Sequence, residues 1–253
     1  MNSIYLFDVD GTLTPAKSKA DPSFANAFLK WMNDKQVYIV SGGSFERIVD
    51  QLGTDIVNKT EGVFACMGNI YYHKYDSGDP GCFKEWRVGY ENKFKAPRGF
   101  YKQLDKLVKE SLYDDKTSHH YEERVGMVNF SIVGRDATPS QRKRYADHDA
   151  MVKEREDMVK ELSKRYKSLD FVIGGAVSID IFNKGNDKSQ IIERHFEDML
   201  ETHKIHFVGD RIAAPGNDHA LAEKLRQHPN GAAYEVEKWE DTAELLKTEP
   251  FGS

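Results

Sequence analysis

Two carboxylates two residues apart stand near the start of this sequence, in Phe7-Asp8-Val9-Asp10-Gly11-Thr12, directly after the apolar run Ile4-Tyr5-Leu6. Such a pair can divide phosphoryl-transfer chemistry between a nucleophile, Asp8, and a general acid and base, Asp10. A bare Asp-x-Asp-Gly is also the pattern of an Asx turn leaving a strand. A second set closes another apolar run at Val208-Gly209-Asp210, with Gly216-Asn217-Asp218 beyond it. If both runs are strands of one parallel sheet, Asp8, Asp10 and Asp210 converge at its carboxyl edge, where ligands bind in open α/β folds. Hard oxygens of that kind suit Mg2+, although Asp210 alone can also be a helix N-cap. Lys188 follows Asp187 at a helix start and can neutralise a phosphoryl group, while lysines in general are mostly solvated. Ser41-Gly42-Gly43-Ser44, between Val37–Val40 and a helix, offers N–H groups and a hydroxyl to an anion, and reads equally well as a loop cap.

The elements that must position these residues follow from periodicity. Residues 4–7 and 37–40 read as buried strands around an amphipathic helix carrying Phe24, Phe28, Leu29 and Met32, with Asp21-Pro22 as its cap and first turn. Further strands are expected near 62–66 and 71–74, and Asp79-Pro80-Gly81 marks a turn. Beyond residue 85 the pattern changes to a helix near 98–112, alternating strands at 127–133 and 177–182, and a charged helix at about 140–166 between them. In each alternating strand one face is apolar and the other polar: Asn129 and Ser131 in the first, Ser178 and Asp180 in the second. That layout predicts an open sheet covered by helices on one side. After Gly185 a helix, strand, helix, strand and helix return to the first pattern. The fold class is therefore α/β, a parallel-sheet core of residues 1–85 and 187–253 with an α+β insertion at 86–186.

The chain has 253 residues, a net charge of −5 and 39% hydrophobic residues, enough to bury a core. No apolar run reaches the roughly 18–20 residues of a membrane span, and no secretory pattern opens the sequence, so a cytoplasmic protein is expected. Cys66 and Cys82 match no ligand cluster and are expected as free thiols. Mild acidity argues against a broad nucleic-acid groove. The charge is uneven: Arg124, Arg135, Arg142, Lys143 and Arg144 against Asp136 alone give residues 124–144 a net +4. Adjacent residues cannot all face one pocket, so Lys143 and Arg144 read as a solvated helix face.

Asp8-x-Asp10-Gly11-Thr12, then Ser41, then Lys188, then Gly209-Asp210 with Gly216-Asn217-Asp218 resemble the four-part signature of the haloacid dehalogenase superfamily. More closely, FDVDGTLT, RVGMVNFSIVGRDATPSQR, IGGAVSIDIF and GDRIAAPGNDH resemble the eukaryotic-type phosphomannomutases over nearly the whole length. The resemblance implies a Rossmann-like core whose insertion is a substrate-specificity cap. It implies Asp8, Asp10 and Lys188 as catalytic, Ser41, Gly42 and Gly43 around the transferring phosphate, and Mg2+ on Asp8, Asp10 and Asp210. Arg124, Arg135 and Arg142 would hold a distal phosphate and Ser178 and Asp180 the sugar hydroxyls. It further implies a hexose 1,6-bisphosphate activator, a homodimer through the cap, and mannose 6-phosphate and mannose 1-phosphate as substrates on the way to GDP-mannose.

The chain departs from the family pattern at Lys17, counted with the substrate-binding residues, where the family has arginine. Asn186 stands in place of a tryptophan, Ser41–Ser44 in place of a glycine-serine-aspartate loop, and Lys224 in place of an acidic ligand for an accessory cation. The alternatives are a Mg2+-dependent sugar-phosphate phosphatase of the same superfamily and, from another class, a non-catalytic sugar-phosphate sensor.

Overall fold

The computed structural model describes residues 2–75 and 85–252; the expected Asp79-Pro80-Gly81 turn and Cys82 lie outside the described residues. The chain opens with β1 (Asn2–Phe7), α1 (Pro22–Trp31), β2 (Gln36–Val40), α2 (Phe45–Leu52), α3 (Thr54–Lys59) and β3 (Gly62–Ala65). Alternate residues of one strand feed two different apolar clusters. Tyr5 and Phe7 of β1 pack with Val37 and Ile39 of β2, while Ile4 and Leu6 pack with Tyr38 and Val40 on the opposite face. Burial on both faces is why these strands read as continuous apolar runs. Asp21 caps α1 by accepting from the N–H groups of Ser23 and Phe24, with Pro22 in the first turn as expected.

β4 (Ile70–Tyr75) and β5 (Glu85–Glu91) extend the same sheet by antiparallel pairing. Residues 86–91, read from sequence as the start of the insertion, thus belong to the edge of the larger sheet. Then come α4 (Phe100–Glu110), β6 (Tyr121–Arg124), β7 (Met127–Phe130), α5 (Pro139–Val152), α6 (Glu154–Arg165), β8 (Leu169–Gly174) and β9 (Ser178–Asn183). The single charged helix expected at 140–166 is two helices. Lys153 breaks it in a left-handed conformation (φ 62°), and Asp149 then accepts from the main-chain N–H of Arg155 at 2.8 Å. After a π-helical turn the chain finishes with α7 (Glu197–Leu200), β10 (His203–Gly209), α8 (His219–Arg226), β11 (Gly231–Glu235) and α9 (Trp239–Leu245).

Among the described residues these strands form two sheets. The larger has the order β11-β10-β1-β2-β3-β4-β5, and the smaller, fully antiparallel one has the order β6-β7-β9-β8. Val128, Phe130, Ile179 and Ile181 of the smaller sheet pack against Phe100 and Leu104 of α4 and Leu162 of α6. On its other face Met127 and Phe182 join the core cluster of Phe7 and Met67, which seats this face over the carboxyl edge of the parallel strands.

Side-chain carboxamides tie down both chain crossings between the sheets. Asn92 Nδ2 donates to Asn69 Oδ1 (2.9 Å) and Gln190 Oε1 (2.8 Å), Asn69 Nδ2 donates to the carbonyl of Asn186 (3.2 Å), and Asn183 Nδ2 to that of Lys93 (2.8 Å).

Candidate active site

β1 and β10 are parallel neighbours with Phe7 opposite Val208, so each strand ends by presenting a carboxylate at the same edge: Asp8 from one and Asp210 from the other. Glycine lets the two loops meet. Gly11 has φ +86°, and a Cβ there would strike the Asp210 carboxylate; a Cβ on Gly209 would lie 2.6 Å from Asp218 Oδ2. Beneath this edge Lys188, wholly buried, donates to Asp8 Oδ1 (2.6 Å) and to Asp218 Oδ1 (2.5 Å). Burial works against the ammonium, but Asp218 and Asp8 more than offset it and raise its pKa. Burial raises the Asp8 carboxyl well above the usual range; Lys188 pulls it back, and Asp218 and Asp210 push it further up. Burial and then Asp218 push Asp210 up to about 7.

Carboxylate oxygens of Asp8, Asp210 and Asp218 lie within 4.8 Å of one another. The three carboxylates outnumber the cations that face them, the Lys188 ammonium and the Arg211 guanidinium 3.4 Å from Asp210, and the donors are all hard oxygens, so the set fits Mg2+. Asp218 completes the cluster, and the sequence reading quoted it without giving it a role. The carboxylate of Asp10, expected among the ligands, does not join. The tight turn closed by Gly11 N–H to Thr14 O (2.8 Å) aims it toward α2, where Asp10 Oδ1 accepts from the Lys17 N–H and from Gln51 Nε2 at 2.9 Å. Asp10 Oδ2 has no hydrogen-bond partner among the described residues.

At the end of β2 both readings of Ser41–Ser44 hold in different residues. Ser41, 2% exposed, turns its Oγ back to accept from Gly43 N–H (3.1 Å) beside the cavity, and Ser44 is the N-cap of α2. The carbonyl of Gly42 accepts from Arg124 Nη1 at 2.7 Å, a direct clasp between the smaller sheet and the core. The remaining Arg124 nitrogens go to Glu122: Nε at 2.8 Å and Nη2 at 3.0 Å. Glu122 also holds Arg135 Nη2 (2.6 Å), and Arg135 Nη1 reaches Asn129 Oδ1 and Ser178 Oγ. Asn129 Nδ2 in turn donates to Asp180 Oδ1 at 2.5 Å, so Asn129, Ser178 and Asp180 of the expected polar face form one connected network, while Ser131, beyond the end of β7, donates to the Val177 carbonyl at 2.8 Å. Arg155 braces it from behind: Asp149 pairs with its Nε (2.7 Å), and its Nη1 donates to the Gly175 and Ser178 carbonyls.

A cavity of about 100 Å³ is lined by Asp8, Asp10, Lys17, Ser41, Gly42, Gly43, Arg124, Arg135, Arg142, Ser178, Asp180 and Asp210, while Lys188 lies behind Asp8. Asn129, expected on the polar face of its strand, lines it too; Arg47 and Arg211 also do and were missed, because isolated polar side chains on a helix or loop carry no periodic signal. Burial, followed by Arg135, Arg142 and Arg47, brings Lys17 down to about 6; burial, followed by Arg135 and Arg47, brings Arg142 down to about 10. Cationic crowding of this kind marks an anion site. Lys143 and Arg144 stay outside, paired with Asp147 (2.9 Å) and Asp115 (2.5 Å) on the exposed face. Lys224 pairs with Glu193, and Cys66 is a buried free thiol.

Glu122 gives the network a pH dependence. Burial acts to raise its pKa, but Arg124 and Arg135 hold it down to about 2 against an ordinary 4.5. A depressed carboxyl contributes stability that is complete above the unfolded value and is lost as pH falls toward the folded one. The stability gap between wild type and Glu122→Gln, followed by circular dichroism, is therefore widest above pH 4.5 and closes by about pH 2. A gap that grows on acidification would remove Glu122 from that role.

Residues 24–249 match the family model described as eukaryotic phosphomannomutase. The phosphomannomutase of Spinacia oleracea is 32% identical over 220 residues, 86% of this chain and 85% of that protein. Phosphomannomutase 1 of Homo sapiens is 32% identical over 224 residues, 84% of this chain and 80% of that protein. Among solved structures, a haloacid dehalogenase-like hydrolase from Bacteroides thetaiotaomicron superposes with a TM-score of 0.55 at 13% identity, over 96% of this chain and 92% of that one, which speaks for the fold alone. With the fold, the carboxylate edge and the match over 24–249 in agreement, this chain belongs to the eukaryotic phosphomannomutase family.

Proposed function

We propose that this protein interconverts mannose 6-phosphate and mannose 1-phosphate. One observation carries the reading: a single cleft joins an acidic, lysine-backed end at Asp8 to a cationic end at Lys17, Arg135 and Arg142. A hexose bearing phosphate at both ends matches that polarity. Asp8 attacks the phosphorus of a primed sugar; its O–P bond forms as the P–O bond to the sugar breaks, and Asp10 protonates the leaving oxygen. The monophosphate left behind departs, and mannose 1-phosphate binds with its 6-hydroxyl toward the aspartyl-phosphate; that hydroxyl gives its proton to Asp10 and takes the phosphoryl group as the Asp8 O–P bond breaks, which yields mannose 1,6-bisphosphate. The bisphosphate turns end for end and returns its 1-phosphoryl group to Asp8, Asp10 protonates the leaving oxygen, and mannose 6-phosphate is released. The donors on Asp10 Oδ1 hold the residue so that Oδ2 is left for this proton. Mg2+, held by Asp8, Asp210 and Asp218, would screen charge on the transferring group. Lys188 holds Asp8 in place from behind, and Arg124, clasped to Gly42, helps exclude water that would otherwise intercept the intermediate.

The same reading carries a hexose 1,6-bisphosphate primer, a homodimer through the cap, and a cytoplasmic place upstream of GDP-mannose. Phosphorus NMR tests it: with Mg2+, mannose 1-phosphate and a trace of hexose bisphosphate, mannose 6-phosphate accumulates. Free phosphate as the main product would make the protein a phosphatase, and an unchanged spectrum would sink both readings.

A further inference from the structure

We infer that Arg47, a residue of the core, is a ligand for the substrate's distal phosphate and makes the enzyme discriminate against phosphate esters that lack a second anion. The inference rests on the mutase reading above. Arg47 stands in the first turn of α2, where its own N–H donates to the capping Ser44 Oγ at 3.4 Å. Its stem lies along the anion loop: a Cβ built on Gly43 would be 3.5 Å from Arg47 Cδ and 3.8 Å from Cγ. From there the side chain lines the cavity together with Lys17, Arg135 and Arg142.

The accounting of charge singles it out. Arg124 and Arg135 are met by Glu122, and Arg124 spends its remaining nitrogen on the Gly42 carbonyl. Arg155 is met by Asp149. Among the described residues, Lys17, Arg47 and Arg142 line the cavity without any ion-pair partner of their own. Two guanidiniums and a lysine whose pKa they depress converge with Asp10 as their nearest negative group, and a phosphate ester relieves that crowding with the two charges and three oxygens that guanidinium forks and an ammonium can share. Arg124, with each guanidinium nitrogen engaged, acts as the clasp; Arg47 takes the open place among the phosphate ligands.

Its origin gives the residue its consequence. Lys17 and Arg47 come from the parallel-sheet core, Arg142 from α5, and Arg135 from the loop before α5. A distal phosphate therefore bridges the two layers, and without one the cations facing each other across the cleft repel. Sugar phosphates draw the cleft shut; a simple ester does not.

Wild type, Arg47→Ala, Arg47→Lys and Arg47→Met are compared on mannose 1-phosphate with bisphosphate primer and on an aryl phosphate without a second anion. Loss of one charge-assisted contact predicts that KM for the hexose phosphate rises about tenfold or more beyond any change on the aryl ester. Lysine restores most of it; methionine, which keeps the stem over Gly43, does not, and it replaces the alanine variant if that one fails to fold. Equal effects on both substrates, or none, overturn the inference. Thermal shift with hexose 1,6-bisphosphate separates the two readings. A wild type that is stabilised yet does not isomerise refutes the mutase while leaving Arg47 to be judged on its loss of the shift. A wild type that isomerises, with Arg47→Ala retaining the full shift, refutes Arg47 alone.

Discussion

Asp8→Asn is expected to lower turnover by about 10⁴-fold or more, on the scale seen when a nucleophile is removed from a covalent mechanism. The amide has the carboxylate's shape without its charge, so no aspartyl-phosphate forms and intact-mass analysis finds no phosphoenzyme. Stability moves the other way from activity. Burial, with Asp218 and Asp210 close by, raises the Asp8 carboxyl, which means that its ionised form is a burden on the ligand-free fold. Lys188 still keeps Asp218 at 2.5 Å. The variant should therefore melt no lower than wild type in the absence of Mg2+, the pattern of a site that trades stability for chemistry. Retention of more than about one per cent of turnover would take the nucleophile's role away from Asp8.

Lys188→Met should do the reverse and strike the fold first. Lys188 is bonded to both Asp8 and Asp218, and taking it away leaves these two facing each other beside Asp210, whose own partner is Arg211. Breaking a buried pair by removing one partner costs about 3–5 kcal/mol, which in a chain of this size lowers Tm by roughly 10 °C or more. Protonation of the carboxylates relieves part of the cost, so the deficit is larger at pH 8 than at pH 6. Mg2+ should raise the Tm of the variant by more than it raises that of wild type, because Asp8 and Asp218 have then lost their counter-charge. A deficit of only a degree or two, indifferent to Mg2+, would show that Lys188 does not balance this cluster.

The sequence was most informative where one short segment carried both a burial pattern and a chemical group. Ile4–Phe7 and Ile205–Val208 are buried runs that end in carboxylates, so their convergence needed only the assumption of a shared parallel sheet, and β1 and β10 are indeed neighbours. Ser178 and Asp180 were legible because strand alternation assigns a face. What escaped depends on partners far away in the chain. β5 is an edge strand with no buried residue and pairs only with β4, so nothing in Glu85–Glu91 marks it as part of the core sheet. The break at Lys153 follows from Asp149 turning to Arg155, a contact that helix periodicity does not encode. Asp218 acquires its place through Lys188, thirty residues away. Glu122 resembles any surface acid until Arg124 and Arg135 close on it, and spacing alone does not say which way a turn aims the Asp10 side chain.

The carboxamides at the two chain crossings give the molecule a mechanical division of labour. Asn69, Asn92, Asn183 and Gln190 hold the pivot with groups that carry no charge at any working pH. The cleft between the sheets is lined with basic groups, Lys17 and Arg47 on one side and Arg135 and Arg142 on the other. Ionic strength therefore acts first on the cleft. At about 0.15 M salt, screening over roughly 8 Å weakens repulsion across the half-exposed cleft, while the carboxamide contacts at the crossings carry no charge to screen. Salt is therefore expected to change how tightly the cleft holds together more than it changes the contacts that join the two sheets.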